Sequence, residues 1–598
     1  MAVAAPDRRE DDDRRPGIEP VRPATEFVDR SVHLVAEPER GLEECVCASP
    51  HLQVGATDAA VLYANAYFAL SWRANRTTID DELLWRFEHR VPTVRQMSSS
   101  KRWIDGDPAE YTHAPKRFSQ GSHIPETVLA PVPPVAELVD RRRRLCEHIR
   151  ASAPDIHKPS CTAWWAPEGK APFGPALVLV RGAPPSTSTF RQHNDLYYLT
   201  GIEVPNAYLE IDTTDARSII YLPHRNEESE RGGGPRLSAE DMDTVRSLTG
   251  VDEVRPLEEL PSVLGRRIKR RLVTVVFTPL APAEGRLGSR DAELEVGAEA
   301  LLDPWAVADS RESGFAAALR AQFSTLDVRD ASPFLDELRC VKSPVEIAFM
   351  REAGRLTGLA VLEAMRSTAP GVMEYELGAL AEFVFLRGGA FGAAYEPIVA
   401  AGENIWHGHY GAKRSRLEAG QLVLMDAAPD YRYYTSDIGR MWPVDGTWEH
   451  WQLELYGFIA RYHLELLTRI RPGVTSDEVL AGAAEVMHRV VEETPFSKPT
   501  YERAARDALE FPYHLSHPVG MSVHDVGEYR GRPLIPGHVF TVDPMLWVPE
   551  ERLYIRCEDT VVVTEDGIEN LTGFVPTDPA EIEAIMREPG LLQTFDPR

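Results

Sequence analysis

The sequence has little of what a secreted, membrane-bound or nucleic-acid-binding chain needs. Cysteine is scarce, six in 598 residues, and Cys45, Cys146, Cys161, Cys340 and Cys557 are scattered, with only Cys45 and Cys47 close together. Thiols so few and so widely spaced build neither a disulfide framework nor a zinc ribbon, and read as buried or idle in a reducing compartment. Runs of about 18 apolar residues are missing, so no membrane-spanning helix and no membrane partner are expected. The opening residues MAVAAPDRREDDDRRPGIEP lack the apolar core of a signal peptide. A cytoplasmic protein is the expectation. Positive charge is also in deficit: 65 basic residues face 92 acidic ones, a formal net charge of −27. A nucleic-acid partner would need clustered cations to replace phosphate counterions, so none is expected.

What is present is globular in composition, 43% hydrophobic and 26% charged, and too long for one core. Residues 1–30 are rich in proline and charge and read as a disordered tail. Residues 31–130 remain unassigned; their apolar stretches AAVLYANAYFALSW and DELLWRFEHRV read as core or docking surface. The proline-rich run PETVLAPVPP (125–134) marks a boundary. Beyond it, a helix from Val135 carries Arg141 to Arg144, which in an acidic chain reads as a solvated face. The runs ALVLVRG, AYLEI, SIIYLP and TVVFTP, separated by helical patterns, then predict a small α/β domain over 135–335.

A third region, 338–580, opens on Ser343-Pro344-Val345-Glu346, a capping box with proline at the first helical position. Two copies of one pattern follow. Pro370-Gly371-Val372 precedes Glu376-Leu377, Pro472-Gly473-Val474 precedes Glu478-Val479, and Thr475 with Glu478 makes a second capping box. In each copy, helices flank the turn and strand-rich segments come after, which predicts two similar halves in one domain.

Acids interrupt the apolar strands of this region. Asp426 ends QLVLMDAAPD, and Asp437 follows a turn at Pro429-Asp430, a spacing that lets the carboxylates converge across a hairpin. Asp543 falls in HVFTVDPMLW and Glu558 in YIRCEDTVVVT, between Arg556 and Asp559; LSHPVGMSVHDVG adds His517 and His524. A lone acid of this kind is a satisfied edge or turn residue. Several carboxylates with an imidazole are instead a ligand inventory for a hard divalent cation such as manganese, iron, cobalt or zinc. Two bridging carboxylates suit a pair of cations.

The order of these residues resembles the pita-bread metallopeptidases, which include methionine aminopeptidases, prolidases and Xaa-Pro aminopeptidases. LRCVKSPVEIAFMREAGRLT, GENIWHGHY, SDIGRMWPVDG, SHPVG and VHDVG resemble the catalytic domain of the proline-specific branch, and FRQHNDLYYLTGIEVPNAYLEI (190–211) the N-terminal domain of aminopeptidase P. The resemblance implies an α/β (α+β) protein, with a C-terminal pita-bread (creatinase/aminopeptidase) fold after a smaller α/β domain and an N-terminal extension. It implies two divalent metal ions, manganese first among the candidates, on Asp426, Asp437, His517, Asp543 and Glu558, with Asp437 and Glu558 bridging. It implies a catalytic His409 near the leaving group, His524 at the tetrahedral intermediate, Arg556 beside the last ligand, and a substrate-binding Tyr197 for a neighbouring subunit's proline pocket. A homo-oligomer, dimer or tetramer, is implied as well.

The implied activity is hydrolysis of the N-terminal Xaa-Pro bond of peptides by a metal-activated water, with Asp543 also in reach of a general-base role. A prolidase acting on Xaa-Pro dipeptides, or a small-molecule hydrolase or lyase like creatinase, uses the same scaffold. A non-catalytic binding module is disfavoured, because unpaired acids in apolar strands only cost stability. Three positions depart from the family pattern: Asp543 replaces glutamate, Gly439 replaces threonine, and Tyr513-His514 replaces His-Gly. The sequons at Asn75 and Asn570 and the pair Trp164-Trp165 are given no functional weight.

Overall fold

Pro134 caps the helix α1 (Val135–Ala151), the first element of a computed structural model that describes residues 133–152, 176–186, 189–305 and 310–595. The expected tail, the extension at 31–130, the proline-rich run up to residue 132, Cys45, Cys47, Cys161, Trp164-Trp165 and Asn75 lie outside these residues. The buried stripe of α1 runs Leu138, Arg141, Arg142, Leu145, Cys146, Ile149, a helical period that places two arginines toward the core. The expectation of a solvated arginine face therefore fails for Arg141 and Arg142, which are 0% and 2% exposed. The cause is backbone satisfaction. Arg141 donates to Tyr198 O at 3.0 Å, and Arg142 donates to Leu199 O at 2.7 Å and Thr249 O at 2.9 Å. These carbonyls end helices α2 (Asn194–Thr200) and Met242–Thr249, where cations are favoured.

Tyr197-Tyr198 lie in α2, which stops at Gly201 with φ 66°. Tyr197 is 2% exposed and stacks on Tyr433 with ring centroids 3.4 Å apart. One face of its ring is therefore engaged within its own chain.

The α/β part is built on one mixed sheet in the order β4-β3-β2-β1-β5-β6. Its strands are β1 (Ala176–Arg181), β2 (Tyr208–Asp212), β3 (Ser218–Leu222), β4 (Glu253–Pro256), β5 (Val275–Thr278) and β6 (Asp327–Asp330). The predicted strands are all present, and the short outer strands β4 and β6 were too polar to stand out in the sequence.

The second part starts with α3 (Pro344–Ser367), whose Ser343–Glu346 capping box forms as expected. It pairs with α4 (Glu374–Arg387) and is followed by the antiparallel sheet β7 (Ile398–Ala401), β8 (Leu422–Asp426) and β9 (Gly439–Pro443). The later copy repeats the scheme with α5 (His450–Leu467), α6 (Ser476–Glu493) and α7 (Pro499–Glu510). Next come β10 (Leu515–Pro518), β11 (Val539–Val542), the hairpin β12 (Met545–Val548) and β13 (Leu553–Arg556), then β14 (Asp559–Val563) and β15 (Ile568–Asn570). Gly371 and Gly473 have φ of 97° and 88°, so the two PGV turns share one left-handed geometry that favours glycine. The halves are joined where Asp437 N–H donates to Thr560 Oγ1 and Thr560 returns a bond to Asp437 O, both 2.8 Å. Packing continues past residue 580, where Gln593 Nε2 donates to Ser367 O of α3 at 3.0 Å.

Candidate metal centre

The joint between the halves is where the predicted acids meet. Asp426 closes β8 and is registered against Gly439 of β9, so the turn places Asp437 beside it. His517 lies in β10. Asp543 stands just past β11 instead of within it, because Pro544 has no N–H to continue a ladder. Glu558 sits at the break between β13 and β14. Its N–H donates to Gly439 O at 2.9 Å, which keeps it against β9.

Asp437, His517 and Glu558 converge, each offering one ligand atom within 4.8 Å of the others'. His517 Nε2 is 3.4 Å from Asp437 Oδ2. Asp426 joins them through Tyr395, whose hydroxyl contacts Asp426 Oδ1 and lies 2.7 Å from Asp437 Oδ1. With one proton, that phenol donates to one carboxylate at a time. Arg556 fills the other side: Nη1 is 2.7 Å from Asp426 Oδ2, Nη2 is 2.7 Å from Asp543 Oδ2, and Nη2 also bonds Glu558 Oε2. Asp543 Oδ1 takes Arg556 Nε at 3.1 Å, so both oxygens of this shorter acid are engaged by the guanidinium.

Of four buried carboxylates, Asp426, Asp543 and Glu558 thus share Arg556, while Asp437 faces His517 and Tyr395. Uncompensated buried charge costs several kcal/mol per ion, of order 3–5 kcal/mol when a partner is missing. Burial and the Asp437 carboxylate push Asp426 up to about 7, and burial drives Glu558 well above the usual carboxylate range. Among the described residues, Glu558 Oε1 is buried without a hydrogen-bond partner. An orphaned carboxylate oxygen, an excess of negative charge and a facing imidazole together fit a divalent cation.

Behind the cluster, Arg440 donates to Glu558 O and Asp559 Oδ1, the latter at 2.6 Å, and Thr572 donates to Asp559 Oδ1 at 2.6 Å. Asn570 donates to Asp559 Oδ2 at 3.0 Å, so the Asn570–Thr572 sequon is spent on structure. In front lie the two other histidines: the ring of His524 is centred 4.1 Å from that of His517 and 6.4 Å from that of His409. Burial, then Arg556, lowers the pKa of His409, which favours its neutral form. Every predicted site residue except Tyr197 is therefore in one place. Tyr395 was missed, and a neutral phenol in AAYEP carried no signal that could have found it. The three described cysteines, Cys146, Cys340 and Cys557, are buried and free, and burial pushes Cys146 and Cys557 up to about 12, as expected of idle thiols.

Gly439 explains how Arg556 fits. A Cβ there would lie 2.9 Å from Arg556 Nε and 3.0 Å from Glu558 Oε2. Gly439→Thr is expected to displace both groups and to lower kcat/KM by about 10–100-fold, since shifts of about 1 Å cost this much. Steady-state kinetics at saturating metal checks it, and a rate within twofold of wild type would show that the glycine is incidental.

Comparison with known proteins agrees with this geometry. Residues 139–277 match the aminopeptidase P N-terminal domain and residues 348–565 match metallopeptidase family M24. A Xaa-Pro aminopeptidase of Escherichia coli (strain K12) is 33% identical over 434 residues, 69% of this chain and 93% of the relative. Xaa-Pro aminopeptidase 3 of Homo sapiens is 30% identical over 415 residues, 66% of this chain and 77% of the relative. Among solved structures, Zn-substituted E. coli aminopeptidase P in complex with product superposes with a TM-score of 0.58 at 29% identity, covering 76% of this chain and 98% of that one. Proline aminopeptidase P II from Yersinia pestis gives a TM-score of 0.58 at 31% identity, with 76% and 99% covered. By sequence, fold and the chemistry of its buried acids, the chain belongs to the Xaa-Pro aminopeptidase family of metal-dependent hydrolases.

Proposed function

We propose that this chain releases the N-terminal residue of peptides whose second residue is proline, using two divalent cations. The observation that carries the reading is the convergence of Asp437, His517 and Glu558, with Asp426 alongside, behind His409 and His524. Asp426, Asp437 and Glu558 would hold one cation, and Asp437, His517, Asp543 and Glu558 the other, manganese being the first candidate for a set dominated by oxygen donors. Divalent cations at such a site supply Lewis acidity, which makes a water deprotonable near neutral pH.

The remaining work falls to the chain's own groups. His524 hydrogen-bonds the scissile carbonyl oxygen as it gains charge, the kind of preorganised donor that stabilises an acyl-transfer transition state. His409, neutral at working pH, positions the substrate and relays to the departing imino nitrogen a proton that it first takes up from the attacking water. Arg556 holds Asp426, Asp543 and Glu558 in register. Asp543, gripped at both oxygens, needs part of that grip released before it can bind a cation or accept a proton.

We assign residues 135–335 to the aminopeptidase P-like domain and 338–580 to the pita-bread catalytic domain. A homo-oligomer is supported by the exposed apolar side chains Leu294, Val296, Leu302 and Trp305. A cytoplasmic location is supported by the free thiols and by a described fold in which no helix is long and apolar enough to cross a membrane.

Turnover of Xaa-Pro-Xaa tripeptides and longer peptides, compared with Xaa-Pro dipeptides, tests the reading on metal-loaded protein. Release of the first residue from tripeptides, with dipeptides cleaved at least about tenfold more slowly, is the expected result; a difference of that size is about 1.4 kcal/mol in the barrier. Dipeptide preference would make the enzyme a prolidase instead.

A further inference from the structure

His524 is held from outside the catalytic half. The helix Arg290–Ala300 of the α/β part begins after Ser289 and carries Asp291 in its first turn. Asp291 Oδ2 is 2.5 Å from His524 Nδ1. The other oxygen, Oδ1, is engaged by Ser289 Oγ and by the Ala292 N–H at 2.9 Å, so the carboxylate is oriented from its own side. A first-turn aspartate is ordinarily satisfied by the N–H groups of its own helix; here one oxygen is left over for the imidazole. The approach to this helix is itself anchored. Ser522 Oγ donates to Gly288 O at 3.3 Å, and Arg290 grips Asp336 at 2.6 Å.

An isolated ion pair at the surface would carry little weight. This one ends on the ring that packs 4.1 Å from the ring of His517 and faces His409. An acceptor on Nδ1 holds one ring proton and fixes the ring's orientation, so that in the imidazolium form Nε2–H is the donor left for substrate. The same division of labour, with an acid orienting an imidazole through its far nitrogen, recurs in hydrolytic triads. On the next residue, Asp525 is fixed by Arg339 at 2.6 Å. His524 is therefore aimed by two contacts, of which Asp291 is the one that touches the ring.

We propose that Asp291 is a positioning residue for His524, an acid supplied by the α/β part that sets the orientation of the ring facing the scissile bond. The inference rests on the role given to His524 under the proposed function. It also gives the N-terminal part a share in the chemistry.

The test compares Asp291→Ala, Asp291→Asn, His524→Ala and the double variant Asp291→Ala/His524→Ala in the full chain. A Xaa-Pro tripeptide is the substrate, kcat and KM are measured separately, and bound metal is counted. Asp291→Ala is expected to lower kcat about 10–100-fold, the usual range for a residue behind a functional histidine, with KM within about threefold and metal content unchanged. Asp291→Asn, whose amide oxygen still accepts from Nδ1–H, is expected to keep most of the lost rate. In the His524→Ala background, Asp291→Ala should add no further loss, because residues acting as a unit are not additive. Multiplicative losses in the double variant, or an Asp291→Ala enzyme within twofold of wild type while His524→Ala is impaired, would overturn the inference and spare the role of His524. Undiminished kcat in His524→Ala would overturn that role, and this inference with it.

Discussion

Glu558→Gln is expected to lose activity and bound metal together, with kcat/KM falling at least about a thousandfold, or about 4 kcal/mol of barrier. Glu558 is the acid with the least to do in the absence of a cation: Oε2 bonds Arg556, and Oε1 has no hydrogen-bond partner among the described residues. An amide in its place keeps the volume and removes the charge that a divalent ion needs. Asp437→Asn should behave alike, since Asp437 also faces both His517 and the Tyr395 hydroxyl. The folded state is not what fails. Removing one of the three acids that share Arg556 relieves repulsion, so the metal-free variant should unfold no more easily than metal-free wild type. Metal counted per chain by elemental analysis, turnover of a Xaa-Pro tripeptide, and thermal unfolding of both stripped proteins decide it. Chelator-treated wild type should match the variant in rate and recover when metal is returned. Full metal content with turnover near wild type in Glu558→Gln would remove the acid from the metal site.

Much of this site was legible because the rules involved act over a few residues. The capping boxes at Ser343 and Thr475, the left-handed glycines of the two PGV turns and the acids breaking apolar runs all announce themselves locally. What was not legible depends on distant partners. Arg141 and Arg142 sit in a polar-looking run, yet they are buried because carbonyls 57 and 107 residues away need donors. Tyr197 gave no local sign of its burial, which the Thr200-Gly201 helix stop and the stacking of Tyr433 produce. Tyr395 and Asp291 reach the site from loops and helices whose sequence holds no sign of what they will face. Likewise, the exchange of glutamate for Asp543 and of threonine for Gly439 read as separate departures. The structure shows them against one guanidinium, which the glycine admits and the shorter acid binds.

Arg339→Met is expected to cost about 3–5 kcal/mol of stability, the range for removing one member of a buried charge cluster. Arg339 is buried at the contact between the α/β part and the catalytic half. It binds Asp195 of α2 at 2.9 Å, Glu284 at 3.1 Å and Asp525 at 2.6 Å. Lys342 adds a second cation at 3.1 Å from Asp525, and Arg290 approaches Glu284 at 3.7 Å. Without Arg339, the three acids keep these two weaker or more distant partners, and Asp195 loses the one that touches it directly. Room to rearrange is lacking, since a Cβ on Gly520 would already run into Asp525 Oδ2. The first unfolding transition in urea reads the loss, the chain being too large for a single two-state step. Adding Glu284→Gln to Arg339→Met removes one of the stranded charges and should restore part of the stability, which a simple packing defect would not do. A transition within about 1 kcal/mol of wild type in the single variant would mean that water or neighbouring cations satisfy the acids, and that this network is not what joins the two parts. Asp525 precedes nothing in the metal site but follows His524 directly, so the same variant is expected to lose rate at temperatures where it is still folded. Stability and catalysis meet at that one peptide bond: Asp525 is fixed by an arginine at the junction of the two parts, and His524 is held by an aspartate from the α/β part.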